Sequence, residues 1–174
     1  MKTLAQIVGF FAVIVFLLSY QQKRRNGIIL LNVISRAMYI LQYILLGAFS
    51  GAILDIMGAL SSAVAANKHT DFIKKHIKTV VISINSLMII TGVTIAIINK
   101  SWLDLFSLTG VLLHTSAFWI NDERIIRRVS LLGSPFWFIY NFFSYAYGSA
   151  LGDLLTIFSI LIAMYRHRQV DKEC

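Results

Sequence analysis

The stretch Leu18-Ser19-Tyr20-Gln21-Gln22-Lys23-Arg24-Arg25 decides the fold. It closes an apolar run over residues 4–20 with a neutral pair and three consecutive cations, and a second apolar run over 28–47 follows at once. A helix of about 20 residues spans a hydrocarbon core about 30 Å thick, and basic residues gather at its cytoplasmic end. The run over 4–20 therefore reads as a membrane helix ending inside. It lacks a small-x-small cleavage site, so it is expected to remain in the mature chain rather than act as a leader.

The same arrangement recurs along the 174 residues. Lys68, Lys74, Lys75 and Lys78 form a second basic cluster, Arg124, Arg127 and Arg128 a third, and Arg166, Arg168 and Lys172 a fourth. Of the 16 Lys and Arg, only Lys2, Arg36 and Lys100 fall outside the four clusters. Consecutive clusters are separated by an apolar span long enough for two crossings. Seven membrane helices are expected, over roughly 4–20, 28–47, 52–67, 79–98, 102–120, 129–147 and 151–165. With the basic clusters inside, the N-terminus lies outside and the C-terminus in the cytoplasm; a six-helix arrangement would put one cluster on the wrong side. Phe49-Ser50-Gly51, Asn99-Lys100-Ser101 and Gly148-Ser149 mark the tight breaks.

Composition agrees. The chain is 57% hydrophobic and 14% charged, against about 25% charged in soluble domains. Its net charge of +8 would suggest a nucleic-acid partner in a soluble protein, but clusters bordering apolar helices face anionic lipid headgroups instead. The lipid bilayer is the expected partner, and nucleic acid is not. The only cysteine is Cys174, so no disulfide within the chain and no cysteine metal site can form. No GxSxG, phosphate loop or HExxH is present; neither catalysis nor a cofactor or metal is expected.

The pattern repeats at an offset of 98 residues. Ala48, Ala52, Asp55 and Ser61 then fall on Ala146, Ala150, Asp153 and Ser159, and Gln42-Tyr43 on Tyr140-Asn141. This predicts two parallel three-helix units, residues 1–67 and 101–174, joined by a loop and linker helix over 68–100. The fold class is an all-α membrane protein of 3+1+3 design.

Few polar residues interrupt the spans. Asp55 and Asp153 occupy matching positions about one turn into the third and seventh helices. They read either as helix-start caps stabilised by the dipole or as the lining of a central cavity. Arg36 sits about 13 Å from the inner end of its helix, close to mid-membrane, where a charge costs about 2.5–3.5 kcal/mol. That cost favours a cavity role over snorkelling. His114 lies at comparable depth, either hydrogen-bonded within the bundle or part of the same site. Gln42, Trp137 and Asn141 add a polar and aromatic wall, and Pro135 a possible hinge in the sixth helix.

Leu18 to Lys23, Gln42-Tyr43 with Leu46-Gly47-Ala48 and Ser50-Gly51-Ala52, and Trp137-Phe138-Ile139-Tyr140-Asn141 resemble the YgjV-type bacterial inner-membrane proteins, over nearly the whole chain. The resemblance implies a bacterial inner-membrane location. The 3+1+3 plan also resembles SWEET sugar carriers and other PQ-loop proteins, whose third helices present matched asparagines to the substrate. By position Asp55 and Asp153 are the counterparts, which implies a polar or cationic solute as readily as a sugar. The expected function is a small-molecule carrier with a central cavity lined by Asp55, Asp153, Arg36, Asn141, Gln42, Trp137 and His114. The alternative is a membrane accessory or scaffold protein in which these residues are interhelical glue.

Overall fold

The computed structural model describes the backbone of residues 2–173 and the side chains of that range other than those of Arg25, Glu123, Ala163, Met164 and 166–173. Eight helices follow in order: α1 (Lys2–Gln21), α2 (Arg25–Leu46), α3 (Phe49–Ala66), α4 (Asp71–Lys75), α5 (Ile77–Asn99), α6 (Leu103–Phe118), α7 (Glu123–Phe143) and α8 (Tyr147–Glu173). Four of them, α1, α2, α3 and α5, are long and apolar enough to cross a membrane by length and composition.

Six helices close into a ring. α1 packs on α2, α2 on α3, α3 on α6, α6 on α7, α7 on α8, and α8 back on α1. α5 lies outside the ring against α6 and α3, and α4 touches only α5 among the principal packings. The difference shows in burial: 39–44% of the apolar window of α1, α2 and α3 is buried, against 17% in α5. Ile82, Leu87, Ile90, Ile97 and Ile98 of α5 are exposed, as suits a helix solvated by lipid on most sides.

Two turns inside the ring share one geometry. At the end of α2, Gly47 takes φ +76°, its N–H reaches Ile44 O, and Ala48 N–H reaches Tyr43 O at 2.9 Å. At the end of α7, Tyr145 takes φ +61°, its N–H reaches Phe142 O, and Ala146 N–H reaches Asn141 O at 2.9 Å. Both are Schellman closures, which return the last carbonyls of a helix to a donor and reverse the chain within a few residues. Lys100, φ 49°, ends α5 in the same way, with Ser101 N–H on Ala96 O.

The sequence misplaced several boundaries. Phe49, Ser50 and Gly51, read as a break, form the first turn of α3, and Gly148 and Ser149 the first turn of α8. Lys74 and Lys75 lie in α4 and Lys78 in α5; Arg124, Arg127 and Arg128 occupy the first two turns of α7. Helix starts tolerate such residues because polar side chains there reach headgroups and water while the backbone is already helical. Asp122 caps α7, accepting from Arg124 N–H at 2.7 Å and Ile125 N–H at 3.3 Å. Lys68 is buried rather than solvated and donates to Trp119 O at 2.7 Å, tying the end of α3 to the end of α6. The backbone of Arg166, Arg168 and Lys172 continues α8; their side chains, and Cys174, lie outside the described residues.

Candidate functional site

Earlier helix starts move both aspartates deeper. Asp55 is the seventh residue of α3 and Asp153 the seventh of α8, nearly two turns in, so neither caps its helix. Both are buried, 3% and 8% exposed. Arg36, 3% exposed, does not snorkel: its guanidinium pairs through Nη1 with Asp55 Oδ1, and Nε donates to Asn32 Oδ1 at 3.0 Å. The sequence set Asp55 about one turn into its helix and Arg36 close to mid-membrane. α2 and α3 run antiparallel, and the deeper position of Asp55 brings the two level.

Asp153 has a different partner. Asn141 Nδ2 donates to its Oδ2 at 2.8 Å, and Asn141 Oδ1 in turn accepts from Tyr43 Oη at 2.7 Å. A chain Tyr43–Asn141–Asp153 thus links α2, α7 and α8 through the centre of the ring.

These groups line one small interior pocket of about 30 Å³, bounded by Phe16, Arg36, Tyr39, Tyr43, Asp55, His114, Trp137, Asn141 and Asp153. Every helix of the ring supplies at least one of them. The volume holds one or two waters, and in this conformation no metabolite. Aromatic rings form much of the wall. Tyr43 stacks on Trp137 with centroids 6.2 Å apart and on Tyr39 at 6.5 Å, and Phe16 stacks on His114 at 5.9 Å.

Glycines on neighbouring helices make room for the large polar groups. A Cβ at Gly58 would lie 2.5 Å from Arg36 Nη1, and one at Gly110 2.7 Å from Trp137 Cδ1. A Cβ at Gly133 would collide with the His114 ring. Close helix approach at small residues is the usual means of packing bundles in lipid.

Gln42 is not at the pocket. It is fully buried on another face of α2, where its Oε1 accepts from Ser149 Oγ of α8 and its amide fills the space over Gly9 of α1. Tyr140 makes the corresponding crossing from α7 to α3: its Oη accepts the Gly51 N–H at 2.8 Å and shares a hydrogen bond with Ser50 Oγ at 2.9 Å. Gly51 N–H is one of the unpaired donors of a helix first turn, so Tyr140 supplies the missing cap from another helix. Pro135 lies on the exposed face of α7, away from the pocket, and the helix continues through it.

Phe16 escaped the sequence reading, since a phenylalanine in an apolar run carries no polar signal. The offset of 98 residues, which puts Phe16 on His114, was the available clue.

With the fold and pocket in view, the chain can be set beside known proteins. It matches the Imp-YgjV family, described as bacterial inner membrane protein, over residues 3–171. The chain belongs to this family. The match covers all six ring helices and α5, so the apolar helices are those of a bacterial inner-membrane protein rather than a loosely assigned hydrophobic chain. No curated protein and no solved structure matches it. Membership in the YgjV family places the chain in the membrane.

Proposed function

We propose that this YgjV-family protein is a small-molecule carrier that works by rocking two three-helix units about the central pocket. The units are residues 1–67 and 101–174, joined by the linker over 68–100, with seven crossings, the N-terminus outside and the C-terminus in the cytoplasm. The design resembles the parallel repeats of SWEET and other PQ-loop carriers, in which access alternates around a fixed midplane site.

One observation carries the reading: residues related by the 98-residue offset meet at the centre. Tyr43 bonds to Asn141, its counterpart, and Phe16 stacks on His114, its counterpart. Direct contact between equivalent residues supports an axis of pseudo-symmetry between the units. The two Schellman turns stand at the same offset, and the contact of α1 with α8 corresponds to that of α3 with α6. The crossings Gln42–Ser149 and Tyr140–Gly51 exchange in the same way. Buried charge gathered on such an axis is expensive as mere packing, and supports a site that meets solute.

The 30 Å³ volume requires the pocket to widen during transport. Above it, a polar vestibule of about 400 Å³ includes Asn99, Ser101, Asp104, Ser144 and Tyr140. Tyr140 lines the vestibule and also packs edge-on against Trp137 and Tyr43 of the pocket wall. It is therefore the natural outer barrier.

The test is accessibility. In a Cys174→Ser background, Asn141→Cys reconstituted in proteoliposomes is treated with a small membrane-impermeant thiol reagent from each side in turn. Labelling from both sides supports the carrier. Labelling from neither leaves the accessory or scaffold reading, with the same residues as closed interhelical bonds.

A further inference from the structure

We infer that the central pocket takes a water-sized ammonium-type cation, held on Asp153 beside His114 in a pocket walled by Tyr43 and Trp137. The inference rests on reading this pocket as the substrate or coupling site.

Charge comes first. Arg36 and Asp55 pair and cancel, whereas Asp153 forms no ion pair among the described residues. Its Oδ2 receives one amide donor from Asn141, and its Oδ1 receives none among the described residues. With both aspartates ionised the pocket carries a formal charge of −1. A buried carboxylate with a single neutral donor is strongly under-compensated, and an entering cation supplies what is lacking.

A second feature is independent of the carboxylates. His114, 2% exposed, lines the pocket, and its Nε2 is buried without a hydrogen-bond partner. Unsatisfied buried polar atoms are uncommon and call for a ligand or water. In the tautomer with the proton on Nδ1, Nε2 is an acceptor, and it needs a donor.

The walls decide which cation. The π faces of Tyr43 and Trp137 attract positive charge at close range. A metal ion prefers several oxygen ligands, but the backbone carbonyls here are committed to helices, and no group of three or more His, Cys, Asp or Glu among the described residues could hold a metal. An ammonium group brings four N–H donors, enough for Asp153 Oδ1 and His114 Nε2 together. It is also close to water in size, which a 30 Å³ pocket admits, whereas a quaternary ammonium is too large.

The experiment is thermal unfolding of the full chain in lipid nanodiscs, titrated with ammonium chloride or methylammonium chloride at fixed pH and at an ionic strength held constant with choline chloride. A Tm rise of about 3–6 °C is expected once ammonium exceeds its Kd about tenfold, growing with the logarithm of its concentration beyond that, with less for methylammonium. Sodium and potassium chloride should give no rise. The ammonium effect should vanish in Asp153→Asn and weaken in Trp137→Leu, both checked for a single gel-filtration peak. No rise with ammonium, an equal rise with potassium, or a full effect in Asp153→Asn overturns the inference. The carrier reading is separable: ammonium binding with Asn141→Cys closed to both sides keeps the cation site and removes the carrier, while two-sided access without ammonium binding does the reverse.

Discussion

Asp55 and Asp153 hold the same place in two halves of the ring, each seventh in its helix and 98 residues apart, yet they live in opposite electrostatic surroundings. Asp55 is locked to a guanidinium that is itself held by Asn32. The residue 98 beyond Arg36 is Ser134, whose hydroxyl turns back to Ser130 O at 3.2 Å, so the ion pair of Asp55 has no counterpart at Asp153 among the described residues. One half is a closed ion pair and the other an open carboxylate. Two positions equivalent by the 98-residue offset thus have different surroundings, a guanidinium at Asp55 and an amide at Asp153.

The strongest way to break this comparison is to open the closed side. Arg36→Met leaves Asp55 buried without its counter-charge, and losing one partner of a buried pair costs about 3–5 kcal/mol. For a chain of this size that lowers Tm by about 6–20 °C. Differential scanning fluorimetry on purified protein reads it directly. Arg36→Met with Asp55→Leu should recover most of the loss, because two apolar residues leave no charge stranded. A loss under about 1 kcal/mol for Arg36→Met alone would mean that the pair does not lock α2 to α3.

Next in size are the crossed contacts that join the halves. Tyr140→Phe removes the acceptor of the Gly51 N–H and the bond to Ser50, leaving an orphan donor at the start of α3, at a cost of about 1–3 kcal/mol. Hydrogen exchange should quicken in the first turn of α3 and remain unchanged in that of α8, where Gln6 caps Gly148 N–H at 2.9 Å. Equal quickening in both turns would show that the two junctions open together rather than separately.

How much of this was legible beforehand follows from the physics. Basic clusters at helix ends and the turn–acid–turn spacing are one-dimensional signals, and they exposed the membrane class, the apolar helices and the chemically rich residues. Six of the residues named from sequence line a single pocket. Gln42 does not, because one residue along a helix turns a side chain by about 100°, and it faces Gly9 instead. Asp55 was set too shallow, because a helix that begins at Phe49 rather than Ala52 carries it most of a turn deeper, where it meets Arg36. Which glycine receives which large side chain, as Gly58 receives Arg36, depends on helix register across a contact and has no local trace in sequence.

Tyr43→Phe probes the axis itself. It removes the 2.7 Å bond to Asn141 Oδ1 but keeps the ring stacked on Trp137, so about 1 kcal/mol is expected. Freed from Tyr43, Asn141 retains its bond to Asp153, and the Arg36–Asp55 side should be untouched. A double-mutant cycle with Arg36→Met tests this: additivity within about 0.5 kcal/mol means that the halves are energetically separate across the axis, and a larger coupling means that they are not.

The smallest expected stability effect belongs to Asp153→Asn, and its smallness is the point. Asparagine keeps the shape and an oxygen for the Asn141 donor, and it removes a buried carboxylate that forms no ion pair among the described residues. Unfolding stability should change by less than about 1 kcal/mol, in either direction, since the lost charge-assisted bond is offset by the relieved desolvation. The same exchange at Asp55 strands Arg36 and should cost several times more. If Asp153→Asn instead destabilises as much as Arg36→Met, then Asp153 is compensated by a group that the ring does not show, the two halves are alike, and the asymmetry that singles out Asp153 as the open side disappears.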